Sequence, residues 1–509
     1  MLTWSLSSAL LAVGAALTAL LAVFAANKWR RAVGFWAKRG VVSYPLQGPH
    51  LIWGSLNQLF RMNFGFWIRD LYAKHSHLPY MGIWLFWRPT LVVNCPELAR
   101  KILVQDADNF RDHFTASSKR TDPIGGLNLF MVKDPQWTTI RRKVTPVFTS
   151  AKLRTFDTLL WERKQHLVQR ITNSLNTKEP LDDFSTDVIG KVAFDLQGEA
   201  TLTGESALRR VTHDFSRYSN IDYTPLTTNR PCIRHLTKTF SSFMGARFTL
   251  FPRSTTRYFE RLYRAMLQRR EAEGEGARGD LVDILLRMRR DELQQESPDL
   301  LMLAQSVVFV QAGFDTSGSA MSFAVYELAH QPHLQDKLYE ELKEARDKLG
   351  HENFDLNTLS SLTYLDCVLK ETLRMYPPLG WLDRICAHEY AVDDKLTLPA
   401  RSVVFVNAIG MHYDPRYFPE PHRFDPDRFL PENEALIRPY TYMPFGEGPR
   451  ACIGKRLGVL TSRSGLAALF LHFSVRPLAG GAPLPAPAER KGLLLAPGEP
   501  LRVQFIPRP

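Results

Sequence analysis

The chain has 509 residues, 45% of them apolar and 11% aromatic, which is enough for a large buried core. Its formal net charge of +12 raises nucleic acid as a partner, but the sequence has no zinc-finger spacing, RNA-binding aromatic signature or low-complexity basic tail. We therefore expect no nucleic-acid partner and favour anionic lipid, an acidic protein or an acidic cofactor. Five scattered cysteines without a Cys-x-x-Cys pair argue against a disulfide framework or a structural zinc site.

The N-terminus predicts a membrane anchor. The first 27 residues carry no charge, and Leu6 to Ala26 form an apolar run long enough to cross a bilayer as a helix. A cleaved secretory signal is the alternative, but the run is too long and lacks a basic n-region. Basic residues between Lys28 and Arg39 place the rest of the chain in the cytosol by the positive-inside rule. We expect a transmembrane anchor over residues 1–27, then a basic linker and proline-rich hinge over 28–49.

The remaining residues, 50–509, predict one mostly helical catalytic domain with small β-sheets. Leu78 to Val104 reads as two short strands followed by a helix that begins after Pro96. A short alternating strand is predicted from Ser402. The apolar run from Leu301 to His330 predicts a long core helix, because its interior polar residues make a second membrane span a poor alternative.

The segment FGEGPRACIGKRLG, from Phe445 to Gly458, places one cysteine just before a predicted helix. A dinucleotide fingerprint is rejected, because the preceding apolar strand and the later acidic residue are missing. A buried structural cysteine is the ordinary alternative. Gly448 and Gly454 are expected to give tight backbone. Arg450 and the helix N-terminus are expected to lower the pKa of the Cys452 thiol, which favours a metal ligand or nucleophile.

The pattern Phe445-x-x-Gly448-x-Arg450-x-Cys452-x-Gly454 resembles the haem-binding loop of the cytochrome P-450 family at all five fixed positions. The resemblance implies an axial haem thiolate at Cys452, which pushes electron density onto iron and favours cleavage of the O–O bond. It also implies the family fold, mostly α with small β-sheets, preceded by one N-terminal transmembrane helix. The chain looks most like microsomal members from insects, in the clan that includes vertebrate drug- and steroid-oxidising enzymes.

Glu371 and Arg374 stand three residues apart on a helix that is predicted to end before Pro377. Alone, such a pair is most often a solvated contact worth about 0.2–0.5 kcal/mol. With the cysteine loop, it resembles the family's Glu-x-x-Arg motif. The resemblance implies a buried ion network that includes Arg428 and is structural rather than catalytic.

Trp137 and Arg141 are one helical turn apart and share a face, which alone would suggest a partly buried amphipathic helix. The family uses this Trp-x-x-x-Arg pair on the haem propionates. The resemblance therefore implies charge-assisted bonds from Arg141, Arg450 and Arg384 to these two carboxylates. Phe445 and Gly454 complete the implied cofactor loop. Further basic residues around this face suit docking of an acidic electron-donor flavoprotein.

Three residues of the long apolar run conflict with a plain core helix. Gly313 weakens a helix, and Asp315 and Thr316 are costly in a core unless they are paired or hydrated. Such local conflicts tend to mark function. The segment resembles the family's oxygen-activation motif. The resemblance implies that Gly313 loosens the helix beside the iron, Thr316 hydrogen-bonds dioxygen or water, and Asp315 helps to relay protons.

Matching to the family's substrate-recognition segments implies an apolar pocket, and ordinary core packing is the alternative for several of its members. The bulky Gly380 to Leu382 departs from the family pattern close to the substrate. Phe240 to Pro252 reads either as a membrane-dipping segment or as a core helix. The pocket residues are Phe110, Phe114, Leu127, Phe130, Phe309, Ala312, Leu379, Trp381, Leu382 and Leu494.

The resemblance implies a membrane-bound haem-thiolate monooxygenase that inserts one atom of O2 into lipophilic small molecules. NADPH would supply electrons through a flavoprotein reductase, with cytochrome b5 as a second candidate partner. The expected location is the endoplasmic reticulum membrane, with a single-pass anchor and the catalytic domain on the cytosolic face. One alternative is an isomerase or dehydratase that acts on peroxides without a reductase, and another is a non-enzymatic haem sensor or carrier. Hormone synthesis and xenobiotic clearance both stay open.

Overall fold

The computed structural model describes residues 6–45, 54–55, 58, 62–85, 88–117, 119, 122–171, 176–219, 253–273, 281–291, 298–488, 494–498 and 500–508. Gly48 and Pro49 of the predicted hinge, the segment Phe240 to Pro252 and Cys232 lie outside these residues.

Helices form most of the described chain, in agreement with the predicted fold class. The α-helices are Leu6–Ala37, Phe64–His75, Pro96–Arg100, Pro123–Leu127, Gln136–Val144, Ser150–Leu153, Asp157–Ile171, Lys178–Phe194, Ala200–Thr203, Ala207–Ser219, Arg253–Glu273, Leu281–Asp291, Pro298–Ala329, Pro332–Leu349, Leu356–Ser361, Thr363–Met375, Ala408–His412 and Lys455–His472. Shorter 3-10 and π turns are Lys101–Gln105, Ala107–Phe110, Thr145–Phe148, Arg154–Phe156, Pro426–Phe429 and Pro431–Leu436.

The strands are β1 Tyr80–Leu85, β2 Arg88–Val93, β3 Leu382–Ile385, β4 Tyr390–Ala391, β5 Thr397–Leu398, β6 Val403–Val406, β7 Phe473–Pro477 and β8 Val503–Pro507. They form one small mixed sheet and two hairpins. The sheet has the order β1-β2-β6-β3, in which β2 and β6 run parallel and the other neighbours antiparallel. Strand β6 is buried at every position, which fits its central place in the sheet. Strands β4 and β5 form one hairpin, and β7 and β8 the other.

The N-terminal helix Leu6–Ala37 continues ten residues beyond the predicted end of the anchor at residue 27. Its last turn is fixed to the sheet by Trp36, which is 1% exposed and donates its indole N–H to the Ile83 carbonyl oxygen at 3.2 Å. Gly82 makes this contact possible, because an added Cβ there would lie 2.5 Å from the indole ring. The first part of the predicted linker is therefore helical, and burial of Trp36 holds its end on β1.

The helix Pro298–Ala329, called the central helix below, organises the core. Its sequence predicted a core helix, and most of its residues are buried. It is the one helix in the described part of the chain that is long and apolar enough to cross a membrane. It is continuous through Gly313, so the loosening expected at this glycine is not found.

Glycines let two other helices approach the central helix closely. An added Cβ at Gly313 would lie 2.6 Å from Ile189 of the helix Lys178–Phe194, called the crossing helix below. Gly313 is thus needed for packing, which is a different reason from the expected one. On another side, Met321 would lie 2.5 Å from a Cβ added at Gly465 of the helix Lys455–His472, called the cysteine helix below.

Candidate functional site

The loop before the cysteine helix is held in one tight conformation. Gly448 has a positive φ of 72°, and a Cβ added there would lie 1.8 Å from the Leu103 carbonyl oxygen. Only glycine fits this position, as predicted. The Cys452 amide donates to the Phe445 carbonyl oxygen at 2.8 Å and closes the loop. At Gly454 the expected tight backbone is not found, because φ is −86° and an added Cβ would have no described neighbour within 4 Å.

The pKa of the Cys452 thiol is raised, which corrects the expected lowering. Burial is the largest cause. It outweighs the backbone N–H groups of Gly454 and Lys455 and the positive charges of Arg141 and Lys455, which all act in the opposite direction. A thiolate at this position therefore needs a further positive partner, and a metal ion that coordinates the sulfur is such a partner.

The surroundings of Cys452 indicate an interior cavity. Its side chain is exposed, although the protein encloses it closely enough for burial to dominate its pKa. Both observations hold together if the sulfur faces a space inside the protein. Ala312 is likewise exposed in the middle of the largely buried central helix. The central and cysteine helices cross where Ser317 contacts Gly458. Ala312 lies a few residues before Ser317 in the sequence, and Cys452 lies a few residues before Gly458.

The Trp-x-x-x-Arg pair reaches the cysteine loop. The Arg450 guanidinium lies 3.9 Å from the centre of the Trp137 ring. Arg141 donates from Nη2 to the Ala451 carbonyl oxygen at 2.8 Å. The indole and both guanidinium groups therefore gather beside Cys452, although they come from two distant parts of the sequence.

Positive charge is in excess next to this loop. Burial lowers the pKa of Arg450 to about 9, of Arg384 to about 10 and of Lys133 to about 8. Burial lowers the pKa of Arg141 as well. In this cluster, called the cationic cluster below, four basic side chains accompany two carboxylates. Its members are Arg141, Arg384, Arg450, Lys133, Asp112 and Asp383.

A ligand that brings two carboxylates would balance this charge. Haem carries two propionates, so the residues present fit the group that the sequence implied. The fit rests on a buried cation excess that costs desolvation energy in the protein alone, and on a thiol whose pKa stays raised despite the positive charges of Arg141 and Lys455.

Sequence reasoning missed part of the cationic cluster. His113 contacts Asp383 through Nδ1 at 3.1 Å, and the two residues are 270 positions apart in the chain. Burial raises the pKa of Asp383, but His113 and the Thr115 amide outweigh this effect and hold the pKa below its ordinary range. Lys133 donates to the His113 carbonyl oxygen. The acidic residue next to Arg384 in a buried strand was the signal that could have shown this pairing.

The Glu-x-x-Arg pair is buried rather than solvated. Arg374 donates from Nε and Nη2 to both oxygens of Glu371, at 2.7 and 2.8 Å, and both side chains are 0% exposed. Arg428 Nε lies 3.5 Å from Glu371. Arg374 also donates to the His412 carbonyl oxygen at 2.8 Å. The three predicted members of the network are thus together, and their contacts bind helix Thr363–Met375 to the chain that precedes the cysteine loop.

The acid and the hydroxyl on the central helix are both satisfied. Thr316 donates from Oγ1 to the Ala312 carbonyl oxygen at 2.6 Å. Asp315 accepts from Lys178 Nζ of the crossing helix at 3.1 Å. The cost of burying these two polar side chains is therefore offset by a backbone acceptor for Thr316 and by an ion pair for Asp315. Lys178 was another residue that the sequence did not indicate.

Three residues of the expected pocket pack as ordinary core. Phe110 is 1% exposed and lies 4.9 Å from the Tyr390 ring. Phe309 packs on Phe148 at 5.4 Å. Trp381 contacts Phe64 edge-on at 4.7 Å.

The other expected pocket residues keep some exposure. Phe130 stacks on His113 at 4.7 Å and is 37% exposed. The Leu494 carbonyl oxygen accepts from Asn63 at 3.0 Å. The Leu127 carbonyl oxygen accepts from Gln305 of the central helix at 2.8 Å. The remaining members are partly buried or, for Ala312, exposed: Phe114, Leu379, Leu382 and Ala312.

Comparison with known proteins decides the family. The cytochrome P450 family model matches residues 45–505. The chain belongs to this family. It is 33% identical to "Probable cytochrome P450 6g2" of Drosophila melanogaster over 87% of this chain and 88% of that protein. It is 32% identical to "Cytochrome P450 6A1" of Musca domestica, over 86% and 87% respectively.

Cytochrome P450 membership confirms the predicted resemblance to insect members of the family. A vertebrate relative is "Cytochrome P450 3A9" of Rattus norvegicus, 29% identical over 87% of this chain and 88% of that protein. The protein is therefore a haem-thiolate monooxygenase. The cofactor of the family is haem with a cysteine thiolate, and its electrons come from NADPH through a reductase.

Proposed function

We propose that the Cys452 thiolate would hold the haem iron, and that the enzyme inserts one oxygen atom into lipophilic small molecules in the cavity beside this residue. The substrates would be xenobiotics or endogenous steroids, fatty acids or terpenoids. The observation that carries this proposal is the exposed Cys452 side chain, which lies within the protein beside a buried excess of positive charge.

Each part of the site has a task in this proposal. Trp137, Arg141, Arg384 and Arg450 would bind the propionates. Phe445 and Gly448 shape the loop around the sulfur, and Gly454 is the N-cap of the cysteine helix. Bound haem would supply the activation of dioxygen. Thr316 would hold a water molecule or dioxygen through its hydroxyl. Asp315 takes up protons and passes them toward Thr316. The apolar walls exclude water and orient the substrate.

The location and partners belong to the same proposal. Apolar side chains of the N-terminal helix are exposed, which supports insertion of residues 1–27 in the endoplasmic reticulum membrane as a single-pass anchor. Residues 28–49 then link this anchor to a cytosolic catalytic domain over 50–509. An NADPH-dependent reductase supplies electrons, with cytochrome b5 as a second partner. The exposed side chains are Val13, Leu17, Leu20, Val23 and Phe24.

A substitution at Thr316 tests the reaction. With reductase, NADPH and ¹⁸O₂, we expect wild-type protein to place one labelled oxygen in a product from a panel of a steroid, a fatty acid and a terpenoid. Thr316→Ala removes the hydroxyl and should lower product formation by about 10²-fold, as loss of positioned proton transfer does. Thr316→Ser keeps the hydroxyl and serves as the control. Mass spectrometry measures the label.

Two outcomes would contradict the proposed reaction. Product that forms from a peroxide without NADPH or reductase would indicate an isomerase or dehydratase. Normal binding of haem ligands without labelled product, unaffected by Thr316→Ala, would indicate a sensor or carrier.

A further inference from the structure

A glutamine of the central helix is bonded to the short helix that precedes Phe130. Gln305 is 0% exposed, and its Nε2 donates to the Leu127 carbonyl oxygen at 2.8 Å and to the Leu301 carbonyl oxygen at 2.9 Å. Leu301 lies one turn earlier in the same helix, whereas Leu127 is 178 positions away in the chain. The bond to Leu127 therefore joins two separate elements.

The amide of Gln305 is retained at a cost. Its Oε1 is buried and accepts no hydrogen bond in the described part of the chain. A buried acceptor without a donor is destabilising, and an apolar side chain of the same size would avoid this penalty. What an apolar side chain would lose is the pair of bonds that Nε2 donates. The amide therefore does more than fill space in the core.

Residues 122–132, called the bridging segment below, reach from the central helix to the cysteine loop. Leu127 is bonded to Gln305, and the Val132 carbonyl oxygen accepts from Arg450 Nη2 at 3.1 Å. The bridging segment is thus held by the two elements that lie beside the candidate cavity.

Internal hydrogen bonds make the bridging segment one unit. Asn128 is 1% exposed, and its Nδ2 donates to the Gly125 carbonyl oxygen at 2.8 Å. Its Oδ1 accepts from the backbone N–H groups of Phe130 and Met131, at 3.1 and 3.0 Å. The helix before Asn128 and the turn after it are joined through this one buried side chain. A displacement at Leu127 would therefore move Phe130 as well.

The anchor lies on the face of the central helix that carries Ala312. Gln305 and Ala312 are seven positions apart, which is two helical turns, and residues at this spacing share a face. Ala312 is exposed. In the bridging segment, Leu127 is partly buried and Phe130 is 37% exposed, whereas Leu129 between them is 6% exposed. The first two side chains are therefore available to contact a molecule in the space beside Ala312.

We propose that Gln305 is a positioning residue, which fixes the bridging segment across the central helix and so sets how closely Leu127 and Phe130 approach a bound substrate. This inference rests on the proposed function, because it requires the substrate to lie beside Cys452. Gln305 itself is buried under the bridging segment and takes no part in the chemistry. It acts on the affinity and orientation of molecules that are large enough to reach the segment.

Two variants remove the anchor in different ways. Gln305→Met keeps the length of the side chain and lacks the donors. Gln305→Asn keeps the amide but is one methylene group shorter, so it should show the same changes and exclude lost polarity as their cause. Gln311→Met is the matched control, because Gln311 is the other glutamine of the central helix and lies on a different face, beside Phe259.

Hydrogen–deuterium exchange of the haem-loaded proteins tests the anchor itself. We expect the backbone amides of the bridging segment to exchange about fivefold faster in both Gln305 variants, which is the factor that loss of one hydrogen bond gives. In Gln311→Met they should exchange at the wild-type rate. Unchanged exchange in both Gln305 variants would overturn the inference.

Difference absorption spectra test the consequence for the site. Imidazole and phenylimidazole both bind haem iron through a ring nitrogen, and the phenyl group extends further toward the cavity walls. We expect both Gln305 variants to lower the affinity for phenylimidazole relative to imidazole by about fivefold, and Gln311→Met to leave this ratio unchanged. A general loosening of the fold would weaken both ligands alike, so the ratio separates a positioning role from a structural one.

A wild-type affinity ratio in both Gln305 variants, despite faster exchange, would contradict the inference and leave Gln305 with a role in the fold alone. Failure of the proposed function is distinguishable. It would remove the thiolate-type absorption from the reduced, carbon-monoxide-bound wild-type protein, whereas all three variants should keep that absorption.

Discussion

At the scale of single residues, the pKa of a buried group depends on whether attraction to its partner exceeds the cost of removing the charged form from water. Glu371 is fully buried and is held by two bonds from Arg374. Glu327, 1% exposed, has a hydroxyl donor in Tyr376 but no bonded cation in the described structure. Burial accordingly raises the pKa of Glu327 to about 7. The same competition explains why the pKa of the Cys452 thiol is raised.

Glu327 predicts a pH-dependent stability. Between about pH 4.5 and about pH 7 the folded protein holds the Glu327 proton while the unfolded chain loses it, so the free energy of unfolding falls as pH rises through this window. The loss is at most about 3 kcal/mol and is complete above about pH 7. Glu327→Gln keeps an acceptor for Tyr376 and cannot ionise. We expect this variant to be more stable than wild type at about pH 8 and similar at about pH 4.

The measurement for Glu327 is urea unfolding of both proteins at these two pH values. If the difference in unfolding free energy between wild type and Glu327→Gln is the same at both pH values, Glu327 does not have the raised pKa that its burial predicts.

At the scale of elements, glycines set how closely the helices approach. Gly313 faces Ile189, and Gly458 faces Ser317 at an ordinary 3.8 Å from an added Cβ. The two positions therefore give opposite predictions for the same substitution, although both glycines lie within helices.

Gly313→Ala should destabilise the protein by about 1–3 kcal/mol, because the new Cβ would lie 2.6 Å from Ile189 Cγ1 and overpack the contact. The gain in helix propensity, about 0.5–1 kcal/mol, does not offset this. Gly458→Ala should be neutral or slightly stabilising. Urea unfolding measures both. In an Ile189→Ala background the cost of Gly313→Ala should fall, and an unchanged cost would contradict the proposed contact.

Local pattern was enough to predict several elements. Strands β1 and β2, the helix after Pro96 and the central helix are where the sequence placed them, since periodicity and proline position act over short distances. Pairing was not predictable in the same way. The parallel contact of Thr90 in β2 with Val403 in β6, and that of His113 with Asp383, join distant segments through tertiary packing.

The site shows the same division. The motif residues of the cysteine loop and of the Glu-x-x-Arg network could be located from their spacing together with the resemblance to the family. Lys133 and Lys178 belong to no motif, and their roles depend on which helices lie against each other. The predicted lowering of the Cys452 pKa is wrong, because burial, which raises this pKa, cannot be read from neighbours in the chain.

At the scale of the whole molecule, the central helix contacts both the crossing helix and the cysteine helix. On one side the crossing helix brings Lys178 and Asp182 to Asp315. At the crossing with the cysteine helix, the thiol and the cationic cluster come together. The proposed activity depends on one bond, that between the Cys452 sulfur and the haem iron.

The absorption spectrum of the reduced, carbon-monoxide-bound protein tests this bond most directly. We predict the red-displaced Soret band of thiolate ligation in wild-type protein and in Cys95→Ser, a control that alters another free cysteine. Cys452→Ser should lose this band. Its absence from the wild-type protein, or its persistence in Cys452→Ser, would contradict the account.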